Sequence, residues 1–301
     1  MPKIVVSIPS SSFAKALEGL PVEIVEWSLE SPCQRKDFDM VVLPAYRPFS
    51  NMRNLAGNKP ALVQLPSIGY DGVAGNAPEG LTIANAAGVH ETATAELAVG
   101  AIIAVLRELP LAVRNQDRRL WRRRDARGLA DSTVLIVGAG GVGTAIANRL
   151  APFEVDVMRV GRSKRSDSHG EVLAKSDLPE LLPKADVVVL AVPLTEATRH
   201  MVDDEFLSRM RDGALLVNVA RGPVADTEAL VAHADRLELV LDVTDPEPLP
   251  ESHPLWEKAA LITPHAGGGS QAFFPRIMAL VRRQAQHLIA GEEPENVVYR
   301  T

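Results

Sequence analysis

Unbroken runs of aliphatic and β-branched residues recur along the chain, each closed by a turn and followed by a stretch of helical character. The early runs are 3–7, 22–26, 40–43 and 61–64, and the later ones are 133–137, 155–160, 186–190, 214–217, 239–242 and 261–263. Several are almost wholly apolar, Val134-Leu135-Ile136-Val137 among them. A strand that alternates apolar and polar residues buries one face; a strand apolar at both parities buries two, which happens when helices cover both sides of a parallel sheet. The alternation of strand and helix therefore predicts an α/β fold. Between the two groups of runs lies 91–109, rich in Ala, Leu and Ile with one Gly and no Pro, which predicts a long buried helix. The segment 114–127 follows with seven Arg and two Asp. It suits a nucleic-acid patch or a solvated or subunit-contacting helix face, and the second is expected.

Two α/β domains follow from this pattern. The first is 1–90 together with 270–301, with a final helix near 271–290 packing back onto it. The second is 91–269. A ligand cleft is expected between them.

Composition narrows the classes. The 301 residues are 46% hydrophobic and 23% charged, enough for two ordinary globular domains. A net charge of -6 argues against a general nucleic-acid binder, which needs a basic surface. Cys33 is the only cysteine, so no internal disulfide forms, which fits a reducing compartment. The longest apolar run, 97–106, falls well short of the ~20 residues of a membrane span. Residues 1–8 lack the basic region and apolar run of a leader and read as a first strand, so a cytoplasmic protein with no membrane partner is expected. One cysteine and scattered histidines give no metal-ligand cluster.

Chemistry enters at Gly138-Ala139-Gly140-Gly141-Val142-Gly143, between the run 133–137 and a helical stretch from Thr144 to Leu150. In a strand–loop–helix context this spacing marks a dinucleotide site. Gly138 permits the turn, Gly140 lets the backbone approach a pyrophosphate, and Gly143 lets the helix pack on the strand. The helix N-terminus offers unpaired N–H groups to the anion. NAD-binding folds usually place a carboxylate at the end of the next strand. Here the chain reads Gly161-Arg162-Ser163-Lys164-Arg165. A carboxylate repels a 2′-phosphate and an arginine grips it, so NADP is the preferred cofactor over NAD. The bland alternative is an exposed basic loop that tolerates either.

Three later runs each end on a polar residue: Asn218-Val219-Ala220-Arg221-Gly222, Asp242 to Glu247-Pro248, and Thr263-Pro264-His265. Taken singly, each has a structural explanation: a strand-end ion pair for Arg221, a solvated charge for Glu247, a capping histidine for His265. Together, behind a dinucleotide loop, they form a set suited to a 2-keto acid. Arg221 can hold the carboxylate and the keto oxygen. His265 can donate the proton that the oxygen needs as hydride reaches carbon, because imidazole exchanges protons near neutral pH. Glu247 can fix the imidazole through its other nitrogen.

At these residues the chain resembles the D-isomer-specific 2-hydroxyacid dehydrogenase family, whose order is glycine loop, Asn-x-x-Arg-Gly, Asp-Val-x-x-x-Glu-Pro and Thr-Pro-His. The resemblance implies a Rossmann-type cofactor domain, a flavodoxin-like substrate domain and two doubly wound parallel sheets. It implies that Asp242 contacts the nicotinamide carboxamide, that Val192 and Pro193 line the cofactor, and that backbone groups at Ile68 and Gly69 in Ser67-Ile68-Gly69-Tyr70-Asp71 hold the substrate carboxylate. The Arg162 loop resembles NADPH-preferring glyoxylate and hydroxypyruvate reductases, and the family implies a homodimer built through the cofactor domain. The expected function is hydride transfer between NADP(H) and a small 2-keto or 2-hydroxy acid. The alternative is a cofactor-sensing, corepressor-like binding protein on the same fold.

Overall fold

The computed structural model describes residues 3–45 and 47–301. Met1 and Pro2, within the segment read as the opening strand, lie outside the described residues. The chain divides into two compact units, Met1–His90 with Gln271–Thr301, and Glu91–Ser270.

The first unit holds a parallel sheet of β1 (Ile4–Ile8), β2 (Val22–Glu26), β3 (Met40–Val42), β4 (Leu62–Gln64) and β5 (Thr82–Ala84). Its order is β2-β1-β3-β4-β5, the flavodoxin-like arrangement. The second unit holds β6 (Thr133–Val137), β7 (Asp156–Gly161), β8 (Arg165–Asp167), β9 (Gly170–Ala174), β10 (Val187–Leu190), β11 (Leu215–Asn218), β12 (Glu238–Leu241) and β13 (Leu261–Ile262). Its order is β13-β12-β11-β10-β6-β7-β9-β8. Strand order reverses between β6 and β10, the crevice where doubly wound sheets bind ligands. The chain then returns to the first unit with the helix Phe273–Ala290 and β14 (Val297–Arg300), which pairs antiparallel with β5.

The two-sided strands behave as their sequence requires. Leu135, Val137, Val188, Leu190, Leu216, Leu239 and Leu241 face one core. Val134, Ile136, Val187, Val189, Leu215, Val217 and Val240 face the other, where the helix Glu91–Leu106 buries Ala95, Ala98, Ile102 and Val105. In the first unit the helix Phe273–Ala290 buries Phe273, Ile277, Leu280, Val281 and Ala285 against the sheet.

Two expectations need correction. The helix expected over 91–109 ends at Leu106, because Glu108 is left-handed with φ 52°. A second helix, Leu109–Asp117, stops before the densest arginines, and 118–127 carries no helix or strand. The segment 114–127 is thus not one helix face. Like charges crowded at helical spacing repel. Among the described residues no helix is long and apolar enough to cross a membrane.

Candidate active site

The glycine loop joins β6 to the helix Gly141–Leu150. Gly138 has φ 120°, and a Cβ there would collide with the carbonyl of Ala191 at the end of β10. The loop therefore lies directly on the 191–192 backbone, next to Val192 and the exposed Pro193. A Cβ on Gly143 would strike the Gly138 carbonyl, so the helix packs on the turn as the motif demands. Gly140 differs: a Cβ there meets nothing within 4 Å. Protein packing does not require glycine at that position, whereas close approach of a phosphate does. The N–H groups of Gly141, Val142 and Gly143 open the helix without intrahelical acceptors. The loop thus fits a dinucleotide pyrophosphate.

The end of β7 adjoins the glycine loop. Gly138 N donates to Val160 O at 2.8 Å, which ties the glycine loop to this strand. Arg162 and Ser163 follow immediately, both exposed, with no carboxylate beside them. Arg165, not singled out in the sequence, donates from Nη2 to Ala139 O at 3.1 Å.

β11, β12 and β13 are in register at their ends, with Asn218 opposite Leu241 and Leu241 opposite Ile262. The loops carrying Arg221, Asp242 and His265 consequently leave one edge of the sheet. Asn218 shapes the first: its Oδ1 accepts from Ala220 N at 3.0 Å and its Nδ2 donates to Arg221 O at 3.1 Å. Arg221 Nη1 donates to Ala220 O at 2.7 Å. A Cβ on Gly222 would collide with the Thr244 carbonyl, so this loop presses against the next, which carries Glu247. Thr227 Oγ1 adds a bond to Asp245 O at 2.7 Å.

His265 Nδ1 lies 2.7 Å from Glu247 Oε1, with both side chains about half exposed. A carboxylate accepts, so Nδ1 carries the proton in this pair and Nε2 takes no part in it. His265 is left-handed, φ 51°, in a tight turn. That turn is closed by Asp242, 3% exposed at the end of β12. Asp242 Oδ1 accepts from Thr263 Oγ1 at 2.6 Å and Ala266 N at 2.7 Å, and Oδ2 accepts from Gly267 N at 2.9 Å. His265 N donates to Asp242 O at 2.7 Å. The carboxylate thus holds the histidine turn by both oxygens, a role the sequence did not reveal.

In the first unit the loop after β4 has an unusual balance. Pro66 O meets His90 Nε2 at 2.7 Å, Ser67 O accepts from Ala86 N at 2.9 Å, and Ile68 O accepts from Asn85 Nδ2 at 2.8 Å. Gly69 O accepts from Ser67 Oγ at 2.8 Å and Tyr70 O from Val73 N at 3.0 Å. Every carbonyl from 66 to 70 is engaged, while among the described residues no acceptor takes the N–H of Ile68 or Gly69. A loop that spends its acceptors and keeps its donors is chemically suited to an anion.

The family model for the NAD binding domain of D-isomer specific 2-hydroxyacid dehydrogenases matches residues 99–267. The glyoxylate reductase/hydroxypyruvate reductase of Mus musculus is 31% identical, with the match covering 94% of this chain and 92% of that protein. The glyoxylate reductase of Thermofilum pendens is 34% identical over 77% of this chain and 73% of its own. A D-isomer specific 2-hydroxyacid dehydrogenase family protein from Aeromonas salmonicida superposes with a TM-score of 0.87 at 25% identity, covering 99% of each chain. Likeness in sequence and in structure runs over nearly the whole length, and the chain belongs to the D-isomer specific 2-hydroxyacid dehydrogenase family of NAD(P)-dependent oxidoreductases.

Proposed function

We propose that this chain reduces a small 2-keto acid, of the glyoxylate or hydroxypyruvate type, to its D-2-hydroxy acid with NADPH, using Arg221, Glu247 and His265. The observation that carries the catalytic reading is the 2.7 Å His265–Glu247 pair on a turn clamped by Asp242. When bound, the nicotinamide supplies the hydride that adds to C2 of the substrate. Arg221 pairs with the substrate carboxylate and draws on the charge developing at the keto oxygen. His265 Nε2 gives that oxygen its proton, and Glu247 balances the imidazolium before transfer. The amides of Ile68 and Gly69, which no acceptor takes among the described residues, are suited to bind a carboxylate. Oxidation runs the same steps backwards, with His265 taking the hydroxyl proton.

The glyoxylate and hydroxypyruvate preference rests on the relatives' names. Steady-state oxidation of NADPH, and separately of NADH, with glyoxylate, hydroxypyruvate, pyruvate, phenylpyruvate and a branched 2-keto acid tests both parts. Turnover of the two smallest acids with NADPH preferred is expected. Tight dinucleotide binding without turnover of any acid overturns the enzyme reading in favour of a cofactor sensor.

The NADPH preference rests on Arg162 and Ser163 at the end of β7 with no carboxylate beside them. Arg162→Asp is expected to lower the NADPH:NADH ratio of kcat/KM by about 10–100-fold, the equivalent of one charge-assisted hydrogen bond of ~1.5–3 kcal/mol. An unchanged ratio removes Arg162 from the 2′-phosphate.

The homodimer reading rests on exposed apolar side chains gathered between 109 and 121: Leu109, Val113, Leu120 and Trp121, the last 99% exposed. An indole left in water is the kind of residue that anchors interfaces. Trp121→Glu is expected to shift the mass measured by light scattering from dimer to monomer; a wild-type monomer at micromolar concentration overturns the reading.

A further inference from the structure

β7 carries a buried charge beside β6, which carries none. Arg159 is 4% exposed, inside a sheet flanked by β6 and β9. A guanidinium so placed needs its donors satisfied. Arg159 Nη1 donates to Asp167 Oδ2 at 3.1 Å, and Nη2 donates to Asp167 Oδ1 at 2.8 Å. Nη2 also reaches Gly170 O at 3.1 Å and Glu171 O at 3.4 Å. Asp167 and Gly170 are paired across the β8–β9 hairpin, so one arginine ties down both of its strands. At the other end of β8, Arg165 bonds the glycine loop through Ala139 O. All three residues of β8 are exposed. With no apolar side to bury, β8 gains nothing from the hydrophobic effect, and polar ties at its ends must fix it. The connection 162–164 hangs between these ties and the end of β7. Lys164 within it is engaged by Glu171 at 2.9 Å.

We infer that Arg159 and Asp167 are positioning residues for cofactor selection: their bidentate pair holds the β8–β9 hairpin against β7 so that Arg162 and Ser163 meet a phosphate on the adenosine ribose in a fixed geometry. The inference rests on the NADPH reading given above. Its chemistry is preorganisation, since a phosphate site whose arginine is already placed loses less rotamer freedom on binding. Asp167 stays ionised for the purpose. The Arg159 guanidinium first, then the His169 N–H, lower its pKa from 3.8 to about 2. A depressed carboxyl pKa gives stability present above the unfolded value and lost only as pH falls through about 2. Near neutral pH both partners of this latch are therefore charged.

The test is calorimetric binding of 2′,5′-ADP and of 5′-AMP to the full chain, with thermal unfolding to confirm folding. Asp167→Ala leaves Arg159 its two backbone acceptors, and Arg159→Met keeps the volume without the charge, so failure of one variant to fold leaves the other. Either change is expected to weaken 2′,5′-ADP about tenfold and leave 5′-AMP nearly unchanged. The double variant is expected to be no worse than the weaker single, because both remove the same pair. A merely structural pair lowers the melting temperature, or weakens both ligands alike, without moving their ratio, and that result overturns the inference. Arg162→Ala is the internal control. If it lowers the ratio while Asp167→Ala and Arg159→Met do not, the latch fails and the NADPH reading stands. If Arg162→Ala leaves the ratio unmoved, the NADPH reading fails and takes the latch with it.

Discussion

His265→Asn is expected to lower kcat by about 10²–10⁴ while leaving dinucleotide affinity and melting temperature close to wild type. Asparagine suits the position because the backbone there is left-handed, φ 51°, a conformation asparagine tolerates and alanine adopts less readily. The turn itself survives the change. It is held by Asp242 through Thr263 Oγ1 and the N–H groups of 266 and 267, none of which belongs to the imidazole. What is lost is the proton at Nε2 and the Nδ1 contact to Glu247. Glu247→Gln keeps an acceptor opposite Nδ1 and loses only the charge, so its loss in kcat is expected to be smaller than that of His265→Asn. The measurement is single-turnover reduction at saturating NADPH, with fluorescence titration of the cofactor beside it. Retention of more than a tenth of wild-type turnover in His265→Asn would move the acid–base role to another group.

Much of the second unit is legible in its sequence because burial on both faces leaves a strong signal. Val134 to Val137 and Val187 to Leu190 are apolar at every position, and each parity feeds a different core. The short polar elements give no such signal. β8 is Arg-Ser-Asp with every residue exposed, and β9 contributes one fully buried residue, Val172, so neither stands out from a turn. β5 and β14 are also absent from the apolar pattern; the first is three residues long and the second is only partly buried. The arginines of 114–127 promise a helix face by composition, yet charge spacing says nothing of a partner surface, and the helix stops at Asp117.

The site divides in the same way. Gly138, Gly140 and Gly143 are readable because each is a steric requirement written as a residue type, and two of the three collide with named carbonyls when given a Cβ. Arg221, Glu247 and His265 are readable as a set because strand ends in a parallel sheet converge on one edge. Ile68 and Gly69 are not readable from side-chain chemistry and enter only through the family resemblance; what the structure shows there is backbone N–H left over after every neighbouring carbonyl is engaged. Arg159 does carry a faint sign: a charge between apolar residues in the interior of a strand, eight residues before an aspartate. A buried guanidinium needs a carboxylate, and the nearest downstream residues supply one.

Asp242→Ala has the second large expected effect, and it acts through position. The carboxylate is buried and takes three donors across its two oxygens. Alanine leaves the N–H groups of Ala266 and Gly267 without the carboxylate that accepts from them, at about 1–3 kcal/mol for each orphaned donor where it stays out of water. A loss of roughly 3–5 kcal/mol in stability is expected, within the range for a broken buried polar network. Asp242→Asn is the sharper variant. Its single carbonyl oxygen can still accept from Thr263 and Ala266, but its amide group then points a donor at the Gly267 N–H. The stability loss is therefore expected to be smaller than for alanine, while the turn that holds His265 against Glu247 is displaced. Turnover should fall in both variants. Asp242→Asn should lose far more in kcat than its melting temperature suggests, whereas a residue that only contacted cofactor would lose dinucleotide affinity first. Melting curves, cofactor titration and kcat on the same preparations separate these outcomes. A variant with intact kcat and weakened dinucleotide binding would assign Asp242 to the nicotinamide and leave the histidine turn to stand on its backbone alone.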